Sequence, residues 1–461
     1  MVRFSFFVFR FSSGRCVACG AGRPIAVALL VLAGLAAGCG DDDTTPGDGG
    51  DVETTGDVEG GADGDGDGEA EAEGEADAEP EAEAEGGADG DADSDADGDG
   101  DGDADADDGG GGWTRTLAVV ASDYLAGGLA LIDLDTVEAA TPTVVTSAAT
   151  VHADAVLACR GGGVVDVVER MGSDRLARYQ VEGGVATAGA ALDLPDGSNP
   201  QDAQVIAGGA SLAVPLYEQA AMDIVAGDLG AVTSLIDLAG YADADGLPES
   251  VHVVETAGRL FVSLQLLDRS GSIWTPTGPG VLAVFDAVSF VPIDVDAVTA
   301  GTQGVVLVGS NPAGPMRVVG PAILVSSVGS YGTDDGGIEA VDGATAEALG
   351  FVITEAVLGG DLADWIVLAD DTGFAVVTVG FAEDRLVAFD LDTGAAVGVP
   401  LLTSGGYTLS GLVDLGDGRI AVGDRTAGAA GVRVFDAATR AELTTAPIPV
   451  GLPPVGACIV D

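Results

Sequence analysis

Short apolar runs recur along most of this chain, separated by Gly, Asp and Pro. Seven stand out: "TLAVVAS", "VVDVVER", "SLAVPLY", "RLFVSLQLL", "AILVSSV", "FAVVTVG" and "RIAVGDR". Each is rich in Val, Leu and Ile and bounded by turn formers, the pattern of a β-strand; helical periodicity is hard to find. Several are apolar at successive positions, which suits strands covered on both faces, as when sheet stacks on sheet.

A second phrase follows each run: a few apolar residues, then Asp, then a small turn. It reads "ALIDLDT", "AVFDAVS", "EAVDGAT", "VAFDLDTG" and "RVFDAAT", anchored on Asp133, Asp286, Asp342, Asp390 and Asp436. The reason is local, since an Asp carboxylate at a strand end can accept from backbone N–H groups two residues on. Two weaker copies carry Gln180 and Ala226 in or near the Asp slot. A Pro-containing lead-in also repeats, in "SNPQDAQVI", "GLPESVHVV", "SNPAGPMRVV" and "GLPPVGACIV". The unit is roughly 45 to 60 residues, the length of a four-stranded propeller blade. Seven units fit between Trp113 and Asp461.

The two ends of this region complement each other. It begins with an apolar run that has no lead-in and ends with a lead-in that has no phrase after it. The C-terminal strand is therefore expected to complete the first blade and remove an open edge. That closure sets Cys159 and Cys458 in lead-in strands of neighbouring blades, where they would form a disulfide in an oxidising compartment; two small buried thiols are the alternative. The predicted fold is all-β, a propeller of seven four-stranded blades. A tandem of β-sandwiches is the runner-up, but it does not account for the orphan terminal strands.

Charge divides the chain further. The sequence holds 461 residues, with 75 Asp and Glu against 17 basic residues, all Arg, for a formal charge of −58. Without lysine there is no P-loop lysine, Schiff base or lysine general base. So acidic a chain is also a poor binder of nucleic acid, which needs cations against its phosphates. Residues 1–40 contain no acid, and residues 41–112 contain acid and no base.

Arg3, Arg10, Arg15 and Arg23 followed by the apolar "IAVALLVLAGLAA" read as a signal peptide over 1–38, too short to span a bilayer comfortably. The small residues Ala36, Ala37 and Gly38 before Cys39 resemble the bacterial lipobox, with Ala36 where that pattern prefers Leu. The resemblance implies an acylated Cys39 at the mature N-terminus and, with Gly40 rather than Asp after it, an outer-membrane lipoprotein facing periplasm or cell surface. Cys16 and Cys19 fall in the segment to be removed.

Residues 39–112 then form an acidic Gly/Ala/Asp/Glu stretch without aromatic residues. It cannot bury enough apolar surface to fold, and is expected to be a disordered spacer reaching about 250 Å when fully extended. Asp93, Asp95, Asp97 and Asp99 match the opening of a D-x-D-x-D-G calcium loop, but no Glu closes it and no helices flank it. No cofactor is predicted; calcium is the ion such a stretch would attract.

From Trp113 onward the Pro lead-ins and Asp-turn phrases resemble the YncE-like and quinoprotein-like β-propellers. The WD40 and kelch signatures are missing. The whole layout resembles envelope lipoproteins of myxobacteria and their relatives.

Chemistry is harder to place. Two histidines, His152 in "TVHADAV" and His252 in "SVHVVE", open lead-in strands, which would line the channel. With Asp154, Asp202, Glu249, Arg317 and Asp364 they are expected near one mouth, as a ring for a metal or polar ligand or simply as a solvated rim. The acidic loops Tyr241–Gly246 and Tyr331–Gly337 read as turns with some promise as cation sites. No Ser-His-Asp set or nucleophile elbow emerges. The expected role is a monomeric, membrane-anchored, noncatalytic binding or scaffolding propeller, with a lipid bilayer (through Cys39) and an envelope protein or glycan as partners. An envelope hydrolase or lactonase with a metal at the channel mouth, and a calcium-dependent adhesion or structural protein, are the alternatives.

Overall fold

The computed structural model describes residues 112–460. Cys39, the signal segment and the acidic stretch with Asp93, Asp95, Asp97 and Asp99 lie outside the described residues. Seven antiparallel sheets form the blades of a propeller. From the channel outward, blade 1 consists of Pro454–Val460, Thr116–Ser122, Gly127–Asp133 and Val144–Val151. Blade 2 follows with Ala155–Gly161, Val164–Glu169, Arg175–Glu182 and Val185–Asp193. Blade 3 has Gln204–Ile206, Ser211–Leu216, Ala221–Ala226 and Val232–Asp237.

Blade 4 is built from Ser250–Thr256, Arg259–Leu264, Val281–Asp286 and a two-residue outer strand, Val305–Val306. Its second and third strands are separated by an extra ribbon, Leu267–Asp268 paired with Thr275–Pro276. Blade 5 is Met316–Val319, Ala322–Ser327, Gly337–Asp342 and Ala348–Thr354; blade 6 is Asp361–Val367, Thr372–Val379, Glu383–Asp390 and Ala395–Gly405. Blade 7 has three strands, Leu409–Asp414, Arg419–Asp424 and Gly431–Asp436. Only the bridges of Val432 to Ile448 and Phe435 to Glu442 mark its outer position.

The core is a set of layers between blades, and the apolar runs supply it. In Thr116–Ser122, Leu117, Val119 and Ala121 pack toward blade 7, while Ala118 and Val120 pack toward blade 2. This is period-two alternation with both faces buried. Clusters of the same kind fill each remaining space between successive blades.

The ring closes at blade 1. The C-terminal strand pairs antiparallel with Thr116–Ser122, setting Thr116 opposite Val460 and Ala118 opposite Cys458. Cys458 is disulfide-bonded to Cys159 in the innermost strand of blade 2, with their Cα atoms 6.0 Å apart. On the other side of this strand, Gly411 of blade 7 has φ +62°, and a Cβ there would lie 2.8 Å from Gly456 Cα. Two glycines let these inner strands approach closely.

The anchor aspartates end the third strands. Asp286, Asp342, Asp390 and Asp436 each accept a backbone N–H from the residue three positions on, Ser289, Thr345, Thr393 and Thr439, at 2.6–2.8 Å. Asp133 accepts from Asp135 N at 3.1 Å.

Candidate functional site

The innermost strands leave a central cavity of about 290 Å³. Among the residues expected at its mouth, Asp202, His252, Arg317 and Asp364 line it. His252 Nδ1 lies 3.3 Å from Asp202 Oδ2, and the other Asp202 oxygen accepts from Ala203 N at 2.7 Å. The imidazole is thus oriented by a carboxylate from the preceding blade, and its second ring nitrogen is the one left to meet a ligand.

Asp364 has a different task. Its two oxygens accept from Trp365 N at 2.9 Å and from Leu412 N at 3.0 Å, tying the inner strand of blade 6 to that of blade 7. Arg317 lies over the Trp365 ring, 5.5 Å from its centroid, and donates from Nε to Trp365 O at 3.1 Å.

The other three expected ring members sit elsewhere. His152 precedes its strand by three residues and lies outside the cavity lining. Its backbone N–H donates to Glu169 Oε1 at 3.0 Å, and its Nδ1 lies 3.2 Å from Asp154 O. Asp154 is held by Arg170 at 2.5 Å. Glu249 is fully buried beneath the extra ribbon of blade 4, accepting from Leu267 N at 3.2 Å, with Arg269 Nη1 3.6 Å from its Oε1. Burial pushes its carboxyl up to about 8, against the lowering effect of that N–H. The expected ring therefore divides. His152, Asp154 and Glu249 lie ahead of their inner strands and are engaged in the connections between blades, whereas Asp202, also ahead of its strand, reaches the cavity.

Other groups in the lining carry no mark in the sequence. Arg170 and Gln201 enter from blades 2 and 3, with Arg170 Nη1 3.3 Å from Gln201 Oε1. Asp361 opens the inner strand of blade 6, and its Oδ2 accepts from Gly332 N at 2.7 Å. Burial, reinforced by the like charges of Asp334 and Asp335, pushes it up to about 6. Asp384 is almost wholly buried and accepts from Thr408 N, Leu409 N and the Thr378 hydroxyl at 2.7–2.9 Å. Tyr331 and Tyr407 complete that side, and burial raises the Tyr407 phenol. Arg425 enters from blade 7.

The acidic loops behave as turns. Asp243 Oδ1 accepts from Asp245 N at 3.2 Å and Asp245 Oδ1 from Leu247 N at 2.9 Å. Asp335 Oδ1 accepts from Ser330 N at 2.9 Å. Among the described residues no group of three or more His, Cys, Asp or Glu is placed to hold a metal ion.

No known family model matches the sequence, and no curated protein matches it. Solved structures do match in shape. The periplasmic gluconolactonase PpgL of Pseudomonas aeruginosa aligns with a TM-score of 0.53 at 12% identity, over 75% of this chain and 99% of its own. A candidate 6-phosphogluconolactonase of Bacteroides fragilis gives 0.53 at 13% identity, over 75% and 98%. A protein from Lactobacillus plantarum gives 0.51 at 15%, over 75% and 99%. At such identities the likeness is one of fold, that of the β-propeller, and the chemistry has to be read from this chain's own residues.

Proposed function

We propose that the protein is a noncatalytic binding propeller of the bacterial cell envelope, anchored in a membrane through acylated Cys39 and holding a small polar ligand or a sugar unit of an envelope glycan in its channel. The observation that carries this reading is the channel cavity, where an imidazole, carboxylates, phenols and guanidinium groups from blades 2 to 7 converge. Such convergence of a few polar groups in a concave site is the usual architecture of a ligand pocket. Of the aliphatic hydroxyls in the lining, Ser410 donates to Pro454 O at 3.1 Å rather than to a base, and Thr378 donates to Asp384, a carboxylate already held by two backbone N–H groups. The test is ligand-observed NMR on the full chain with mono- and oligosaccharides of the envelope. Saturable binding without turnover, weakened by His252→Ala, is expected; absence of any binding would remove the reading. Labelled-palmitate incorporation, expected in the wild type and lost in Cys39→Ala, tests the anchor.

A second reading, a lactone hydrolase acting without a metal, draws on one observation. The His252–Asp202 pair and Asp361, raised to about 6, share the cavity, and a group that titrates near neutrality suits general acid–base work. Three of the structural neighbours bear gluconolactonase names. Acid release from glucono-δ-lactone at the spontaneous rate, with and without the protein, would dismiss this reading. A rate above background that His252→Ala abolishes would put it ahead of the first.

A further inference from the structure

Among the described residues, Arg425 is a cavity cation that forms no ion pair. Arg425 follows the second strand of blade 7, is half-buried and lines the cavity. A guanidinium has five N–H donors. Two of these are used, from Nη1 to Pro454 O at 3.2 Å and from Nη2 to Ser122 O at 3.3 Å, both neutral carbonyls. The Tyr124 ring stacks at 5.0 Å. The adjacent Asp424 is taken by Arg433 at 2.8 Å and by the Thr426 hydroxyl at 2.6 Å. The other cavity arginines are engaged, Arg170 by Asp154 and Arg317 by the backbone and ring of Trp365. Burial lowers the Arg425 pKa, so an anion brought against it would be stabilising on both counts. The three remaining donors lie in the planar fork that takes a carboxylate through two parallel bonds.

The acids of the same cavity are less open to a ligand cation. Asp384 is saturated by two backbone donors and a hydroxyl, and Asp364 by two backbone donors. Asp361 keeps one oxygen for a ligand, and His252 keeps one ring nitrogen. Both suit hydroxyl groups. A cavity of about 290 Å³ accommodates a ligand of single-sugar size. Resting on the reading of the channel as a ligand site, we propose that it binds a small hydroxylated organic acid, its carboxylate against Arg425 and its hydroxyls against Asp361 and His252.

The test is calorimetric titration of the full chain with three sugars matched in size and differing in charge, glucuronate, glucose and glucosamine, and with inorganic phosphate. Glucuronate is expected to bind at least tenfold tighter than glucose, with no detectable glucosamine binding, and to tighten as pH falls from 7.5 to 5.5 and Asp361 gains its proton. Arg425→Gln should lose at least tenfold in glucuronate affinity, and Arg425→Lys should recover part of it. Arg425 also bridges blades 7 and 1, so each variant is first checked by its melting; if neither folds, the wild-type series decides. Glucose or glucosamine binding as well as or better than glucuronate overturns the acid and leaves the channel a ligand site. Phosphate binding as tightly as glucuronate overturns the hydroxyl half. No binding by any probe, or full affinity in a folded Arg425→Gln, overturns the proposal.

Discussion

Glu249 and Glu355 are both fully buried, and burial pushes each up to about 8. Each is therefore mostly protonated at neutral pH in the folded state and mostly ionised in the unfolded chain, where the ordinary value is 4.5. The folded state binds the extra proton, so the stability each contributes is full below pH 4.5 and is lost as pH rises toward about 8. Glu249→Gln keeps the acceptor for Leu267 N and removes the titration. The variant should melt close to wild type at pH 5 and above it at pH 9, as thermal unfolding at the two values will show; equal shortfalls at both would mean that Gln disturbs the packing around Arg269 instead. The candidate site was legible only where a residue belongs to an inner strand or its immediate lead-in, as His252 and Asp202 do. Asp361 and Arg425 carry no mark in the sequence, because what makes them site residues is the approach of another blade. Glu249 misled for the opposite reason: the ribbon inserted in blade 4 covers it, and nothing in "GLPESVHVV" announces that cover.

At the level of strands, the legible parts were those with a local physical cause. The buried second strands show as unbroken apolar runs, and the third strands show through the Asp that accepts its own turn. The outer strands carry no such signal, since they face solvent on one side and vary in length from two residues in blade 4 to eleven in blade 6. The blade 4 ribbon and the single helical turn Glu355–Leu358 also escaped notice, being too short to show a period. The pairing of the first and last strands was legible because each lacked its complement. It also lets the seam be tested as an element. The Cys159–Cys458 bond closes a sequence separation of 299 residues, a loop whose entropy puts the bond at the upper end of the usual range, about 5 kcal/mol. Cys458→Ala should lower the melting temperature by several degrees. Dithiothreitol should lower the wild type to the same value and leave the variant unmoved. A wild type indifferent to reduction would show that seam packing alone holds the ring.

Across the whole molecule, the ring is held by layers between blades, and no blade buries its two faces without both neighbours. Cooperative loss of these layers makes one melting transition the readout for every titrating group at once. Two sets of carboxylates oppose each other in it. Hydrogen bonds from Ser289, Thr345, Thr393 and Thr439 hold Asp286, Asp342, Asp390 and Asp436 below their ordinary value of 3.8. Their contribution is present above pH 3.8 and is lost as pH falls through their folded values. Burial raises Asp361 to about 6 and Glu249 and Glu355 to about 8, so their contribution is lost as pH rises. The acidic excess of residues 113–461, 44 Asp and Glu against 13 Arg, acts in the same direction, because self-repulsion grows as carboxylates ionise. Stability should therefore peak near pH 5, below the neutral range, and decline on both sides. Melting temperatures measured from pH 3 to pH 9 at fixed ionic strength check this. Added salt should raise the alkaline limb through screening, and should move it less than the protonation of the buried acids does, because those groups lie where salt reaches poorly. A maximum at pH 7 or above would mean that the buried carboxylates stay ionised in the folded state, and that the cavity around Asp361 is wetter than its packing implies.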